Sequence, residues 1–280
     1  MATSTSAQTC YRHPSRETRV SCSNCGRPIC PDCMTSTPVG MRCPECSRDR
    51  TQVRTIQNVQ AAVQLTPVLI AVCVIAGLAS GSVGAGGAGN QLFERGALFG
   101  PLIALDHEYW RLITGGFLHS GLIHLGFNMY LLWMLGNLLE PALGQVRFGL
   151  LYFTSLLAGS AGALLVEPNA VTVGASGAVF GLMAAAFLEL RQRGFDPMAS
   201  GIGPLILLNL VITFVPGFNI SIGGHIGGLI GGAIAITLIQ QTSSKQRRPY
   251  GIAGLIVLCV VFAVVGVVAA DAGLPPGVRG

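Results

Sequence analysis

Seven stretches of this chain are apolar over a length that crosses a lipid bilayer or falls just short of it: residues 65–84, 117–139, 147–166, 175–191, 201–217, 223–240 and 251–270. Hydrophobic residues make up 51% of the 280 positions and charged ones 10%, with a mean hydropathy of +0.60, which is too apolar for a soluble domain. In hydrocarbon a helix satisfies its own backbone, so the pattern predicts an all-α polytopic membrane protein embedded in the lipid bilayer. The expectation is that no cleavable signal peptide precedes the first span. Residues 1–57 are instead polar and cysteine-rich, and they predict a small separate domain.

The basic residues orient the spans. Arg48, Arg50 and Arg54 precede the first, Arg147 follows the second, Arg191 and Arg193 follow the fourth, and Lys245, Arg247 and Arg248 follow the sixth. All fall on one side, which the positive-inside rule makes cytoplasmic. The expectation is a multi-pass cell-membrane protein with its N-terminus in the cytoplasm and its C-terminus outside. The 85–116 connection, with Arg95 and Arg111, would also lie outside. The net charge of +5 then reports topology and indicates no nucleic-acid partner.

Ahead of the spans, four pairs share one internal spacing: Cys10/His13, Cys22/Cys25, Cys30/Cys33 and Cys43/Cys46. A two-residue gap lets both side chains of a pair reach one tetrahedral Zn²⁺, so eight ligands predict two structural zinc ions. Thiols in a cytoplasmic domain stay reduced, which argues against disulfides. A segment this short has little core, and the metal would supply most of its folding free energy. The spacing resembles B-box-type zinc-binding modules. That resemblance implies that pairs one and three share one ion and pairs two and four the other, although spacing alone equally permits sequential pairing. Such modules often bind proteins, so a cytoplasmic protein partner is one expectation.

Within the spans, the octet Gly174-Ala175-Ser176-Gly177-Ala178-Val179-Phe180-Gly181 places a serine where an apolar helix begins. A helix N-terminus offers free N–H groups and the positive end of its dipole, which suit an activated serine and an oxyanion beside it; packing or N-capping is the plainer role for such a residue. Gly174 and Gly177 allow close backbone approach, and Phe180 lies one turn from Ser176 on the same face. Polar groups inside a membrane are costly unless they serve a site or find partners. His124 and Asn128, four apart, share a helical face. His119 would lie about 140° from His124 if the helix already covers it. His225 sits in a glycine-rich run whose members 224, 228 and 232 form a ridge for a neighbouring helix. The run 201–217 is interrupted by Gly203-Pro204 and ends at Pro216-Gly217, which reads as a loosely packed helix.

These residues assemble into acyl-transfer chemistry. Ser176 is the candidate nucleophile and His225 the base. His124, Asn128 and the Ser176 N–H are candidate oxyanion donors. Glu140, Glu167, Glu189 and Asp196 fall near helix ends, so a dyad is expected, with the imidazole oriented by Phe180 rather than by a carboxylate.

The set Trp110-Arg111, His119-x4-His124-x3-Asn128, Gly174-Ala175-Ser176-Gly177 and His225-x2-Gly228-x3-Gly232 closely resembles the rhomboid intramembrane serine proteases over residues 65–240. The resemblance implies a six-helix core with Ser176 as nucleophile, His225 as base and His124 and Asn128 as oxyanion stabilisers. It implies no cofactor for catalysis, and transmembrane proteins as substrates, cut in or near the outer part of their span. It also implies an outer-leaflet loop bearing Trp110-Arg111, and a mobile fifth helix and cap loop where substrate enters. Phe180 stands where many relatives have tyrosine. The domain plan that follows is a B-box-like zinc-binding domain at 1–50, a linker at 51–64, a protease core at 65–240, and a basic loop, seventh transmembrane helix and short tail at 241–280. A transporter or channel is the first rival reading, but the chain shows no internal repeat or paired intramembrane charges. The second is a catalytically inactive rhomboid-like protein that binds membrane clients, which would be expected to lack the serine or the histidine.

Overall fold

The computed structural model describes residues 8–37, 40–48, 63–83, 89–215 and 220–274. The linker expected at 51–64 falls mostly, and Pro216-Gly217 wholly, outside these residues. The chain divides into two compact units, Met1–Thr55 and Ile56–Gly280.

The first unit holds two antiparallel ribbons, β1 (Gln8–Thr9) with β2 (Glu17–Thr18) and β3 (Thr35–Thr37) with β4 (Gly40–Arg42), followed by helix α1 (Pro44–Arg48). Its buried cluster consists of six cysteines and Ile29. One aliphatic side chain, with Tyr11 and Met34 packed against the cluster, makes a small hydrophobic core.

Apart from a 3-10 turn at Gly115–Phe117 and a single bridge between Leu98 and Thr172, the regular structure described in the second unit is α-helical: α2 (Leu65–Ala79), α3 (Gln91–Gly96), α4 (Gly100–Leu105), α5 (Arg111–Thr114), α6 (Leu122–Leu143), α7 (Gln145–Val166), α8 (Ser176–Gln192), α9 (Ile202–Thr213), α10 (Ile222–Gln241) and α11 (Arg248–Ala272). Helices occupy each of the seven apolar stretches. Of these, α6, α7, α10 and α11 are long and apolar enough to cross a membrane, whereas α2 and α9 are apolar but shorter. Outward faces carry Val68, Ile123, Leu208, Val211, Val257 and Val260, side chains suited to hydrocarbon rather than water. This is a polytopic all-α membrane protein.

Several boundaries differ from the sequence reading. The second apolar helix begins at Leu122 instead of 117, because Gly121 at φ +104° turns the chain sharply just before it. It also runs through Glu140-Pro141 to Leu143, where Gly144 at φ +80° ends it. Gly203-Pro204 does not interrupt α9. It lies in the first turn, where a missing N–H removes no intrahelical bond. Glu140 is fully buried: one carboxylate oxygen accepts the N–H groups of Gln64 and Leu65 at 2.8 and 2.7 Å, and the other accepts the N–H and hydroxyl of Thr66 at 2.9 and 2.7 Å. A carboxylate of α6 thus caps the N-terminus of α2 and meets the positive end of its dipole.

Central helix α7 is flanked by α8, α10 and α11, and glycine sets the spacing between three of these four. A Cβ on Gly159 of α7 would lie 3.0 Å from the Cα of Gly177 on α8. A Cβ on Gly162 would overlap the Gly223 carbonyl of α10, and Cβ atoms on Gly228 and Gly232 would overlap the carbonyls of Gly177 and Gly181. Van der Waals contact between backbones supplies the attraction that apolar burial supplies in water. Gly228→Ala should therefore lower stability by about 1–3 kcal/mol in detergent unfolding, as overpacking does. Gly126→Ala, on an open face of α6, should stay within about 0.5 kcal/mol of wild type. Equal stability of the two variants would rule out the backbone crossing as the element that holds the helices.

Candidate active site

The segment leading into α8 is tied down before the helix starts. Gly100 donates to the Pro168 carbonyl at 3.0 Å, Leu98 and Thr172 exchange two backbone bonds at 3.0 Å, and Gly174 donates to the Gly115 carbonyl at 2.9 Å. Gly174 has φ +128°, a conformation that a side chain resists. Ala175, not Ser176, is the N-cap, and its N–H donates to His119 Nε2 at 3.4 Å. Ser176 is therefore the first helical residue. Its own N–H and those of Gly177 and Ala178 have no acceptor within the helix and sit at the positive end of its dipole; the first intrahelical bond is from the Val179 N–H to the Ala175 carbonyl at 2.9 Å.

His119 precedes α6 rather than lying on it. It is fully buried, and its ring meets that of His124 edge-on with centroids 5.2 Å apart. His124 Nδ1 is 3.1 Å from the Ser120 hydroxyl. A methyl group built on Gly174 would come 2.9 Å from His124 Nε2 and 3.7 Å from Ser176 Oγ, so these two atoms border one small space that glycine keeps open. Asn128 is buried, and one of its two amide hydrogens is donated to the His124 carbonyl at 2.9 Å.

His225 reaches the same region from α10. A Cβ on Gly177 would lie 3.3 Å from the carbonyl of Gly224, so the residues adjoining that contact, Ser176 and His225, are carried to one crossing point. The imidazole is buried and stacks on Phe180 with centroids 4.0 Å apart and an interplanar angle of 23°. Its Nδ1 lies 2.6 Å from Thr213 Oγ1, which is itself 2.7 Å from the Asn209 carbonyl oxygen. Sequence reasoning did not single out Thr213 or Asn209. Their spacing of four within an apolar run was the available signal. Among the described residues no carboxylate hydrogen-bonds His225: Glu140 caps α2, Glu189 pairs with Arg193 at 2.6 Å and Asp196 accepts from Met198.

Trp110 and Arg111 have separate surroundings. Arg111 is buried, donates to the Glu94 and Ala97 carbonyls at 2.7 Å and pairs with Glu108 at 2.5 Å, fastening α5 to the turn after α3. Trp110 is half exposed and donates to the Arg95 carbonyl at 3.2 Å.

In the first unit the ligand atoms gather into two groups, Cys10/His13/Cys30/Cys33 and Cys22/Cys25/Cys43/Cys46, each within 4.8 Å. The arrangement interleaves the pairs, a choice that spacing left open. A tetrahedral zinc with bonds of about 2.3 Å to sulfur and about 2.0 Å to nitrogen sets S···N edges near about 3.5 Å and S···S edges near about 3.8 Å. His13 Nδ1 lies 3.3, 3.4 and 3.9 Å from the sulfurs of Cys30, Cys33 and Cys10, and Cys25 and Cys43 are 3.8 Å apart. The donor set and its edges fit that ion. The Cys43 N–H donating to its sulfur draws the Cys22 thiol down to about 6, while burial pushes Cys43 up to about 12. A divalent cation is what would let adjacent thiolates coexist.

The Rhomboid domain family profile matches residues 106–242, a span that takes in Arg111, His119, the His124–Asn128 pair, the serine turn and the His225 helix. Rhomboid protease GluP of Bacillus subtilis is 36% identical over 188 residues, covering 65% of this chain and 36% of GluP. RHOMBOID-like protein 6, mitochondrial, of Arabidopsis thaliana is 35% identical over 168 residues, covering 57% of this chain and 53% of the relative. The chain thus spans about a third and about half of these two proteins. Putative rhomboid protease YdcA of Bacillus subtilis is 36% identical over 145 residues that make up 71% of its length. With the family profile and a relative matched over most of its own sequence, this chain belongs to the rhomboid family.

Proposed function

We propose that this protein is an intramembrane serine endopeptidase that cuts transmembrane proteins in or near the outer part of their span. The observation that carries the reading is the stacking of His225 on Phe180 across the α8–α10 glycine crossing, one turn from Ser176. The names of GluP and YdcA as rhomboid proteases support the same class of activity. Both Ser176 and His225 are present, which speaks against an inactive client-binding protein.

In this reading Ser176 Oγ attacks the scissile carbonyl and passes its proton to His225 Nε2. The oxyanion that forms is held by the Ser176 N–H and by side-chain donors of His124 and Asn128. The C–N bond then breaks and the imidazolium protonates the leaving amine. Water, deprotonated by the same nitrogen, releases the acyl group as a carboxylate. A transmembrane substrate must locally lose its helix before a carbonyl can enter, because helical backbone is already paired. The first unit, in this reading, holds two structural Zn²⁺ ions on its two ligand groups, lies in the cytoplasm and docks a protein partner there, while the C-terminus lies outside.

Purified protein should react with a fluorophosphonate probe and cleave a reporter transmembrane substrate. Ser176→Ala should abolish both, and His225→Ala should slow both by about 10²–10⁴-fold. Asn128→Ala should slow cleavage by about 10²-fold without blocking expression. Folded wild type that neither labels nor cleaves would sink the protease reading. Separately, elemental analysis of the intact protein should find two zinc ions per chain, falling to one in Cys30→Ser; zinc-free protein with residues 8–48 still folded would overturn the metal assignment.

A further inference from the structure

Helix α9 buries both of its polar residues and exposes part of its apolar surface. Of its twelve residues, Ile202, Gly203, Asn209 and Thr213 are buried, while Leu207, Leu208 and Val211 face outward. In its C-terminal half the inward face is therefore Asn209 and Thr213, one turn apart. A polar face turned inward from lipid needs a partner there, and the partner is the imidazole of His225.

The geometry assigns the protons. A threonine hydroxyl carries one hydrogen, and a backbone carbonyl can only accept. Thr213 Oγ1 lies 2.7 Å from the Asn209 carbonyl oxygen, one turn back along its own helix, which takes that hydrogen. At 2.6 Å from His225 Nδ1, the same oxygen must then accept, so Nδ1 carries the ring proton. The opposite arrangement, Thr213 donating to Nδ1, would leave two oxygens 2.7 Å apart with no hydrogen between them. With Nδ1 protonated, the lone pair of a neutral His225 is on Nε2. Stacking on Phe180 restrains the plane of the ring but leaves its rotation within that plane and its tautomer free, and Thr213 supplies what the stack does not.

We propose that Thr213 is a positioning residue for His225, its hydroxyl holding the proton on Nδ1 so that Nε2 is available as the base. This rests on the reading of His225 as the general base. It places a neutral hydroxyl, relayed to a main-chain carbonyl, at the ring nitrogen where a triad would carry a carboxylate.

The test uses the full chain in detergent, with Thr213→Val, close to isosteric but without the hydroxyl, and Thr213→Ser, which keeps it. Two readouts are combined: cleavage of a reporter transmembrane substrate, separated into kcat and KM, and ¹⁵N NMR of ring-labelled histidine with the His225 signals assigned from His225→Gln. In Thr213→Val, kcat should fall by roughly 10–100-fold with KM within about twofold of wild type, and Thr213→Ser should restore kcat to within about threefold. The NMR should show Nδ1 protonated in wild type and Thr213→Ser, with the tautomer balance shifted in Thr213→Val. Unprotonated Nδ1 in the wild type overturns the proposal, and so does a Thr213→Val enzyme with unchanged kcat. If Thr213→Val does not fold, the wild-type spectrum and the Thr213→Ser rate still decide. Wild type that fails to cleave while its Nδ1 proton depends on Thr213 would support the positioning role and sink the protease reading.

Discussion

Backbone contact between glycines on three helices is the constraint from which the candidate site follows. Gly159 and Gly162 of α7, Gly177 and Gly181 of α8, and two ridges of α10 face one another closely, and at Gly162, Gly181, Gly223, Gly227, Gly228 and Gly232 a Cβ would overlap the neighbouring helix. One ridge, Gly224, Gly228 and Gly232, was visible as a spacing of four. The second, Gly223 and Gly227, repeats the spacing one residue earlier and turns toward α7, so α10 is gripped from both sides. Ser176 and His225 adjoin these contacts in sequence. A side chain at the tightest of these contacts would force the helices apart at the crossing that brings Ser176 and His225 near one another, and this links packing directly to chemistry.

Several buried polar groups in the helical unit are matched to a specific partner from another part of the chain. Glu140 takes up free N–H groups of α2, Arg111 takes up two carbonyls near α3, His119 accepts from Ala175, and Thr213 meets His225. In a low-dielectric interior an unmatched polar atom is costly, so such pairs fix helix ends and loops as firmly as apolar packing fixes helix faces. The turn into α8 shows the effect, since it is bonded to the 98–115 segment before the helix begins. The first helical residue is thereby held without side-chain capping.

The small first unit obeys a different physics. Six of its seven core side chains are cysteines, so hydrophobic burial contributes little, and metal bound at the interleaved ligand groups would determine its shape. Two ions shared between alternating pairs would cross-link the segment end to end.

The amino-acid sequence by itself located the seven apolar helices, because an apolar run in lipid has no other way to satisfy its backbone; the short helices α3, α4 and α5 within the 85–116 connection were not legible in it. It also determined which residue types could carry chemistry, because a serine at a helix start and histidines within spans stand out against an apolar background. Local periodicity placed His124 with Asn128 and Ser176 with Phe180. Whatever depends on two segments meeting was not legible. Spacing could not distinguish interleaved from sequential ligand pairing, because both satisfy a two-residue gap. Thr213 looked like one more polar residue in an apolar helix, and Glu140 like a helix-end charge, since their partners lie 12 and about 75 positions away. Only the tertiary structure decided those meetings, because helix crossings are set by side-chain-free backbone surfaces whose partners no one-dimensional pattern names.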